Sequence, residues 1–330
     1  MELFVGITLL FSLIFLANFA AARRSERLTR IFNWILLLVN LPLFLLGLAL
    51  LFISPQQLAT TQLDLTFTAH RSAGIVLLLS AVWGLLVTLP ETRRLLARWV
   101  PLDPASPVHA LALVLAGYLV GNSALTLTQG GLEGLAQTSS AASIFDVIAS
   151  ELLYAMIGLA GVGLLVRRQG WKLLDRLGLQ WPTRHQLRKS LRWILLLLAL
   201  QWLAAIILQL SNPQQAEALN ELNTLLLENM DTPAEWFLLA ISAAIGEEIL
   251  FRGALQPVFG LWATSFLFAM AHIQYGFTLA TILVFVIGVA LGLIRQRFNT
   301  GVAIFIHFSY NFILGLLTLL APYLEQLANS

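Results

Sequence analysis

Long apolar runs recur along the chain and are separated by short polar stretches. About ten of these runs approach the roughly 20 residues that an α-helix needs to cross a bilayer. They lie near residues 2–22, 31–53, 73–90, 107–127, 146–166, 193–211, 236–256, 260–275, 278–294 and 302–321. In hydrocarbon every backbone amide must be hydrogen-bonded within its own helix, because no water is there to bind it. The pattern therefore predicts an all-α fold, a polytopic transmembrane helical bundle of about ten membrane helices.

The composition agrees with a membrane protein. Of the 330 residues, 58% are hydrophobic and 11% are charged, whereas an ordinary soluble domain has about 25% charged residues. A water-soluble fold could not bury so much apolar surface. No polar stretch is long enough to form a soluble domain of its own. We expect an integral membrane protein, and a prokaryotic plasma (inner) membrane is the predicted location.

The basic residues predict the orientation of the helices. Lys and Arg concentrate in cytoplasmic loops, and four arginines follow the first run, which no basic residue precedes. We interpret this run as a retained helix, not a signal peptide, with its N-terminus outside. On this orientation 17 of the 19 basic residues lie in inside loops. About ten helices then place the C-terminus outside as well.

The net positive charge has a membrane explanation. The sequence pI is about 9.2, but the basic residues are spread over the inside loops, where topology and anionic lipid headgroups account for them. We find no nucleic-acid motif and expect no nucleic-acid partner. The chain has no cysteine, which excludes disulfides, thiol nucleophiles and thiolate metal ligands.

The stretches between the runs predict some local structure. In the basic stretch Arg167–Arg192, Trp and Leu residues lie between the Arg and Lys residues. This pattern is typical of a short helix in the headgroup region, and a basic connector between the two halves of the chain is the alternative. The acidic stretch Asn212–Glu235 has an amphipathic section that could cap the outer face. At its end, Thr232 and Glu235 form a capping box that starts the seventh membrane helix. A GxxxG pattern in the ninth run predicts close helix packing.

Ionisable residues inside the apolar runs are the candidates for function. An ionised side chain at the bilayer centre costs at least about 2.5–3.5 kcal/mol, yet the seventh run contains Glu247, Glu248 and Arg252. Glu248 and Arg252 are i, i+4 neighbours on one helical face and can form an ion pair. Glu247 is turned by about 100° from Glu248 on an α-helix, so we expect the two carboxylates to face different surroundings. A purely structural ion pair, with Glu247 merely hydrogen-bonded, is the alternative.

Two later runs carry matching polar residues. His272 lies near the end of the eighth run, with Phe268 one turn before it. The tenth run carries His307 and Asn311, which share one helical face because they are four residues apart. A rise of about 1.5 Å per residue places these polar groups and Glu247 about 9–18 Å from the inside ends of their helices. Three helices therefore present polar groups in one layer, which predicts a single site.

The chemistry open to such a site is that of a hydrolase. No serine is obviously paired with a base, so a covalent mechanism has little support. A carboxylate with an imidazole can activate water for attack on a carbonyl, while a second imidazole and an amide stabilise the oxyanion. Glu247, His272 and His307 could instead bind Zn²⁺ and leave a position for water. No HExxH motif is present, and the spacing leaves both mechanisms open.

At these residues the chain resembles the CPBP intramembrane protease family. This family includes the type II CAAX prenyl endopeptidases and bacterial proteins labelled abortive-infection or bacteriocin-processing. The matching signatures are EExxxR at Glu247–Arg252, FxxxH at Phe268–His272 and HxxxN at His307–Asn311. The resemblance covers roughly residues 190–320. It predicts a CPBP-like intramembrane protease domain at 191–330, preceded by an N-terminal transmembrane region of unknown role at 1–190.

The resemblance implies an intramembrane endopeptidase. It implies that Glu247 is the catalytic carboxylate acting with His272 on water, and that His307 and Asn311 support the oxyanion. The residues implied to support the site are Glu248, Arg252 and Phe268. The implied partner is a peptide or protein substrate in the membrane, and a prenylated CaaX-type C-terminus, as in eukaryotic members, is one form of it. Members are described both as metalloproteases and as glutamate-type peptidases, so the dependence on a divalent metal stays open.

Two other functions remain as alternatives. Buried Glu, Arg and His could form the relay of a transporter or proton-coupled carrier, although the polar cluster has no counterpart in the N-terminal half. A non-catalytic membrane scaffold or immunity-type protein could keep the same fold and act by binding. Asp146 and Glu151, near the outer end of the fifth run, are interpreted as interfacial residues and not as catalytic ones.

Overall fold

The computed structural model describes residues 2–54, 56–57 and 67–328. Within these residues the structure is helical and contains no β-strand, which confirms the predicted all-α class. Helices α1 to α7 are Glu2–Arg23, Glu26–Phe52, Phe67–Thr88, Pro90–Leu96, Pro107–Thr128, Gly131–Thr138 and Ile144–Gly161. Helices α8 to α14 are Trp171–Leu177, Arg184–Ser211, Pro213–Leu226, Pro233–Glu247, Gln256–Ala271, Leu279–Arg297 and Thr300–Ala328.

Eight helices in the described part of the chain are long and apolar enough to cross a membrane, namely α1, α2, α3, α5, α7, α9, α13 and α14. The protein is therefore an integral membrane protein. The seventh and eighth predicted spans correspond to α11 and α12, which have 15 and 16 residues. These two helices are shorter than a full span. The total of about ten membrane helices and the outside position of both termini remain predictions.

The seventh and eighth spans are not the continuous α-helices that the hydrophobic pattern predicted. A π-helical segment, Glu248–Leu255, joins α11 to α12. Within α12 the chain bends at Gly260, whose φ of 76° and ψ of −178° are not helical. Such a φ strains any residue with a β-carbon, so glycine suits the bend. Helix α12 ends at Ala271, and a 3₁₀ turn, Ile273–Tyr275, leads towards α13. Uniform α-helical periodicity gives no sign of these breaks.

The predicted start of α11 is confirmed in its atomic detail. The hydroxyl of Thr232 accepts a hydrogen bond from the backbone N–H of Glu235, and the Glu235 carboxylate accepts one from the backbone N–H of Thr232 at 2.9 Å. This capping box satisfies two of the amides that a helix start leaves without partners. The amphipathic section before it forms α10, and the basic connector contains the short helix α8.

The GxxxG pattern of α13 lies where α13 packs against α12 and the π-helical segment. The carbonyl of Gly288 accepts a hydrogen bond from Nη2 of Arg252 at 3.2 Å, and the carbonyl of Gly292 accepts one from Nε2 of Gln256 at 3.0 Å. A β-carbon on Gly292 would come within 2.4 Å of Leu261. The predicted close packing is confirmed, because side chains at these positions would separate the two helices.

One apolar cluster joins the N-terminal helices to the helices that carry the polar residues. It includes Leu13 and Ile14 of α1 and Leu111 of α5, together with Phe251 of the π-helical segment and Phe268 of α12. Helix α7 also packs against α11 and the π-helical segment. The N-terminal helices thus form one wall around the polar site, while the predicted division at residues 190 and 191 stays a prediction.

Candidate active site

Glu247 lies between two histidines from different helices. It is the last residue of α11, and its side chain is almost completely buried. Its Oε1 lies 3.5 Å from Nε2 of His272 at the end of α12, and its Oε2 lies 3.8 Å from Nε2 of His307 on α14. The predicted convergence of the three helices at one depth is therefore confirmed.

The ring of His272 has a defined tautomer when it is neutral. Its Nδ1 lies 2.8 Å from the carbonyl oxygen of Phe268. A carbonyl only accepts, so Nδ1 carries the hydrogen and Nε2 presents its lone pair. That lone pair faces the Glu247 carboxylate, which is another acceptor. Nε2 of His272 and Oε1 of Glu247 both accept hydrogen bonds, so they cannot bond to each other unless one of them is protonated. Both can instead accept hydrogen bonds from a single donor placed between them.

The ring of His307 is held from the opposite side by the second glutamate. Its Nδ1 lies 3.0 Å from Oε1 of Glu248, and Oε2 of the same carboxylate lies 3.3 Å from Nε of Arg252. Glu248 and Arg252 are 0% and 1% exposed, so this is a fully buried ion pair. The predicted i, i+4 pair is confirmed. The expectation of different surroundings for the two carboxylates is wrong in one respect, because both approach the imidazole of His307.

The side chain of Phe268 packs among the polar groups of the site. The guanidinium of Arg252 lies over the Phe268 ring at 4.2 Å from its centroid. The centroid of the His272 ring is 4.6 Å from that of Phe268, and the His307 ring is 6.2 Å away. A cation over an aromatic face is a favourable contact, and it is stronger where water is excluded. The aromatic residue of FxxxH therefore fixes both the arginine and the first histidine.

Asn311 lies one helical turn beyond His307 on α14 and is half-buried. Its amide forms no hydrogen bond with other groups in the described part of the chain. The structure thus places the residue on the expected helix, next to the expected histidine, without a direct contact to Glu247. Its part in binding an oxyanion stays a prediction.

Glu151 of α7 is a third carboxylate near the site, and the sequence argument placed it at the membrane interface instead. A β-carbon on Gly246 would lie 2.6 Å from Oε2 of Glu151 and 2.4 Å from its backbone oxygen. Glycine at 246 therefore lets α7 approach α11 directly beside Glu247. An acidic residue in an otherwise apolar span was the available signal, but only the packing of α7 on α11 shows which neighbour it meets. Asp146, in contrast, is exposed and caps its own helix.

Several buried polar atoms around this site have no hydrogen-bond partner among the described residues. They include Oε2 of Glu151, Oε2 of Glu247 and Nη1 of Arg252. Buried polar groups are nearly always paired, so such atoms gathered at one place call for an explanation. A site that receives a polar ligand or reactant provides one.

The residues suggested as zinc ligands do not form a metal centre in this arrangement. Among the described residues, no group of three or more His, Asp or Glu side chains could hold a metal ion as placed. Glu247, His272 and His307 approach one another without completing such a group. We therefore derive no reaction step through a metal, and zinc dependence stays a prediction.

Fold and site define the class of protein as a polytopic helical membrane protein with a buried carboxylate–imidazole cluster. The family model described as type II CAAX prenyl endopeptidase Rce1-like matches residues 229–313. This segment contains all three signatures, so the match supports the predicted resemblance to the CPBP intramembrane protease family. The family is one of membrane proteases, which supports a peptidase. No curated protein and no solved structure matches the chain.

Proposed function

We propose that the protein is an intramembrane endopeptidase that hydrolyses a peptide bond with a water molecule activated by Glu247 and His272. One observation carries the proposal: Oε1 of Glu247 and Nε2 of His272 are two acceptors only 3.5 Å apart. A water molecule that donates one hydrogen to each keeps a lone pair directed at the substrate. This is the arrangement that general base catalysis requires.

The reaction begins with attack of the water oxygen on the carbonyl carbon of the scissile peptide bond. Glu247 accepts a proton from that water, and the carbonyl oxygen becomes an oxyanion. His307 donates to the oxyanion from Nε2 when its ring is protonated, since its Nδ1 hydrogen is directed at Glu248. The amide of Asn311 is the second donor. Glu247 then returns the proton to the leaving amine nitrogen, and the carbon–nitrogen bond breaks.

The remaining residues position these groups. Arg252 neutralises Glu248, so that Glu248 can hold the His307 ring without burying an uncompensated charge. Phe268 supports His272 through its backbone carbonyl and through its ring. Fixed donors and acceptors need no rearrangement as charge develops, which is the main source of electrostatic stabilisation in enzymes.

The substrate class follows from the membrane setting and from the name of the matched family. We propose membrane-associated peptides as substrates, with a prenylated CaaX-type C-terminus as the first form to test. A plasma membrane of a prokaryote is the proposed location. The site lies among the apolar helices of a membrane protein, which favours a membrane-anchored chain as the substrate.

The test compares the full-length protein with Glu247→Gln, which keeps the side-chain volume but removes the base. Both are reconstituted in liposomes with a reporter peptide library that includes prenylated C-termini. We expect the rate to fall by about 10²–10⁴-fold, the usual contribution of general acid–base catalysis. Glu91→Gln, an exposed glutamate in a surface ion pair, is the matched control and should keep the full rate.

Equal cleavage by the wild type and Glu247→Gln would contradict the proposal, as would no cleavage of any peptide by the folded wild type. The second result would favour the carrier or scaffold alternatives. Each assay is repeated with a chelator and with added Zn²⁺. Loss of cleavage with the chelator and recovery with zinc would show a metallopeptidase and overturn the metal-free mechanism, whereas no change would support it.

A further inference from the structure

A separate cavity lies between the N-terminal helices and the π-helical segment. Its volume is about 280 Å³, close to the lower end of the range for ligand pockets. Its walls come from α1, α5, α7, the π-helical segment and α12, and most are aliphatic. Residues that represent these walls are Leu10, Ile14, Ala112, Leu115, Leu255 and Val258. Glu247, His272 and His307 do not line it.

Three arginines line the cavity as well. Arg167 and Arg168 follow α7, and Arg176 belongs to α8, so all three come from the basic connector. Arg167 is exposed, which shows that the arginine end of the cavity reaches the protein surface. Within the described residues, no carboxylate comes within ion-pair distance of these three guanidinium groups. An apolar cavity with an uncompensated cationic end is complementary to an anionic amphiphile.

The arginines keep donors for a ligand. Nη1 of Arg176 donates to the carbonyl of Gly253 at 2.8 Å, and Nη1 of Arg167 donates to Oδ1 of Asn18 at 3.4 Å. Arg168 donates to the carbonyl of Val162. A guanidinium has five N–H donors, so these contacts orient the guanidinium groups and leave other N–H donors free to bind a ligand. Its planar fork matches the geometry of phosphate oxygens, which makes arginine the preferred phosphate ligand.

The charges in this cluster repel one another. Burial, together with the nearby arginines Arg168, Arg295 and Arg167, lowers the pKa of Arg176 to about 10. At neutral pH the guanidinium still carries its charge. Bringing like charges together without a counterion is unfavourable, and an anion bound among them relieves the repulsion.

We propose that this cavity binds one acyl chain of an anionic phospholipid, whose phosphate is held by Arg167, Arg168 and Arg176. The aliphatic walls receive the chain, and the connector receives the headgroup at the face that the sequence predicts to be inside. Anionic lipids are attracted to basic residues at that face. This binding site is independent of the peptidase reaction. Its inner wall includes Phe251, whose ring lies 5.2 Å from that of Phe268 in the active site.

The experiment measures lipid retention and not peptide cleavage. The full-length protein is reconstituted in vesicles of equal parts phosphatidylglycerol and phosphatidylcholine with the same acyl chains. The protein is then released from the vesicles, and the lipid that stays bound to it is measured by native mass spectrometry. We expect one phosphatidylglycerol to stay bound and phosphatidylcholine to be retained at least tenfold less. Thermal unfolding in detergent should show stabilisation by phosphatidylglycerol, because a ligand that binds only the folded state raises its stability.

Two variants test the two parts of the cavity. Ala112→Phe fills the aliphatic part and should abolish retention, while Ala149→Phe places the same ring on an exposed position of α7 and should retain the lipid. Arg167→Gln/Arg168→Gln removes two headgroup ligands and should lower retention at least tenfold. Arg94→Gln/Arg98→Gln removes two exposed charges from another basic loop and should have no effect. Unfolding midpoints of the lipid-free variants check that each one folds.

Three results would overturn the proposal. Equal retention of the two phospholipids would show that the arginines do not select a charge. Inorganic phosphate that stabilises the protein as much as phosphatidylglycerol would indicate a site for a free anion. A geranylgeranylated peptide that displaces phosphatidylglycerol and is itself retained would assign the cavity to a substrate chain. None of these results depends on peptidase activity, so the lipid site and the proposed function fail separately.

Discussion

Nδ1 of His307 lies 3.0 Å from Oε1 of Glu248, while Nε2 of the same ring lies 3.8 Å from Oε2 of Glu247. The two neighbouring glutamates of the EExxxR signature therefore contact opposite nitrogens of one imidazole. Glu248 orients the ring, and Arg252 balances the charge of Glu248. Glu247 lies near the Nε2 atoms of both His272 and His307. The two carboxylates therefore have different sets of contacts: Glu248 contacts Arg252 and His307, and Glu247 contacts the two histidines.

The buried ion pair is expected to control stability as well as activity. Glu248→Gln leaves Arg252 buried without a counter-charge, and breaking a buried pair in this way costs about 3–5 kcal/mol. Thermal unfolding in detergent measures the loss, and peptide cleavage should fall with it because a neutral amide oxygen holds the Nδ1 hydrogen of His307 less strongly than a carboxylate does. Glu91→Gln breaks an exposed pair and should change stability by less than about 1 kcal/mol.

The double variant Glu248→Gln/Arg252→Gln separates the two effects. It removes both charges of the pair, so we expect part of the stability to return while cleavage stays low. If the single variant were as stable as the wild type, the pair would not be the fully buried ion pair that the structure shows.

The close approach of α7 to α11 should make Gly246 sensitive to a single methyl group. A β-carbon at this position would lie 2.4 Å from the backbone oxygen of Glu151. Backbone cannot move aside as a flexible side chain does, so we expect Gly246→Ala to destabilise the protein by about 1–3 kcal/mol. It should also reduce cleavage, because the shifted residue precedes Glu247.

Gly6→Ala is the matched control for this substitution. A β-carbon on Gly6 meets nothing within 4 Å, and alanine is favoured over glycine within a helix by about 0.5–1 kcal/mol. Unfolding midpoints of the two variants should therefore move in opposite directions. A Gly246→Ala protein with unchanged midpoint and rate would show that α7 and α11 are farther apart than described.

We expect the ring of Phe268 to affect the turnover number and not only to fill space between the helices. Phe268→Leu keeps an apolar side chain but loses the contacts with Arg252 and His272. We expect the turnover number to fall by about 10–100-fold, since small displacements of catalytic groups have effects of this size. Phe19→Leu removes a ring that lies under Arg23 and beside Phe15 on α1, and it should leave turnover unchanged. Similar turnover for both variants would argue against a positioning role.

The capping box of α11 should affect stability without affecting the reaction. Thr232→Ala removes the hydroxyl that accepts from the Glu235 amide and should cost about 1 kcal/mol. The cap lies about 20 Å from Glu247 along the helix, so the turnover number should not change. Thr232→Ser retains the acceptor and should unfold at nearly the wild-type temperature. A large loss of turnover in a folded Thr232→Ala protein would contradict this separation.

The sequence by itself determined which segments are helices and which polar residues meet. Bilayer thickness fixes the length of an apolar span, so eight of the ten predicted runs match long helices that differ from them mainly at their ends. The seventh and eighth runs instead contain the π-helical segment and the bend at Gly260. The same regularity converts residue number into depth. That is why the positions of Glu247, His272 and His307 were enough to predict one site. The capping box of Thr232 was predictable because all its atoms lie within one helical turn.

Only the tertiary structure decided the contacts made between helices. The π-helical segment, the approach of Glu151 to Gly246 and the sharing of His307 by two carboxylates all depend on how distant segments pack. Hydrophobic periodicity describes one helix at a time and does not determine how that helix is rotated relative to the helix that packs against it. The cavity with its three arginines is the clearest case, because the residues in its walls are spread between positions 10 and 271 of the chain. Packing, and not the pattern of any single segment, creates that volume.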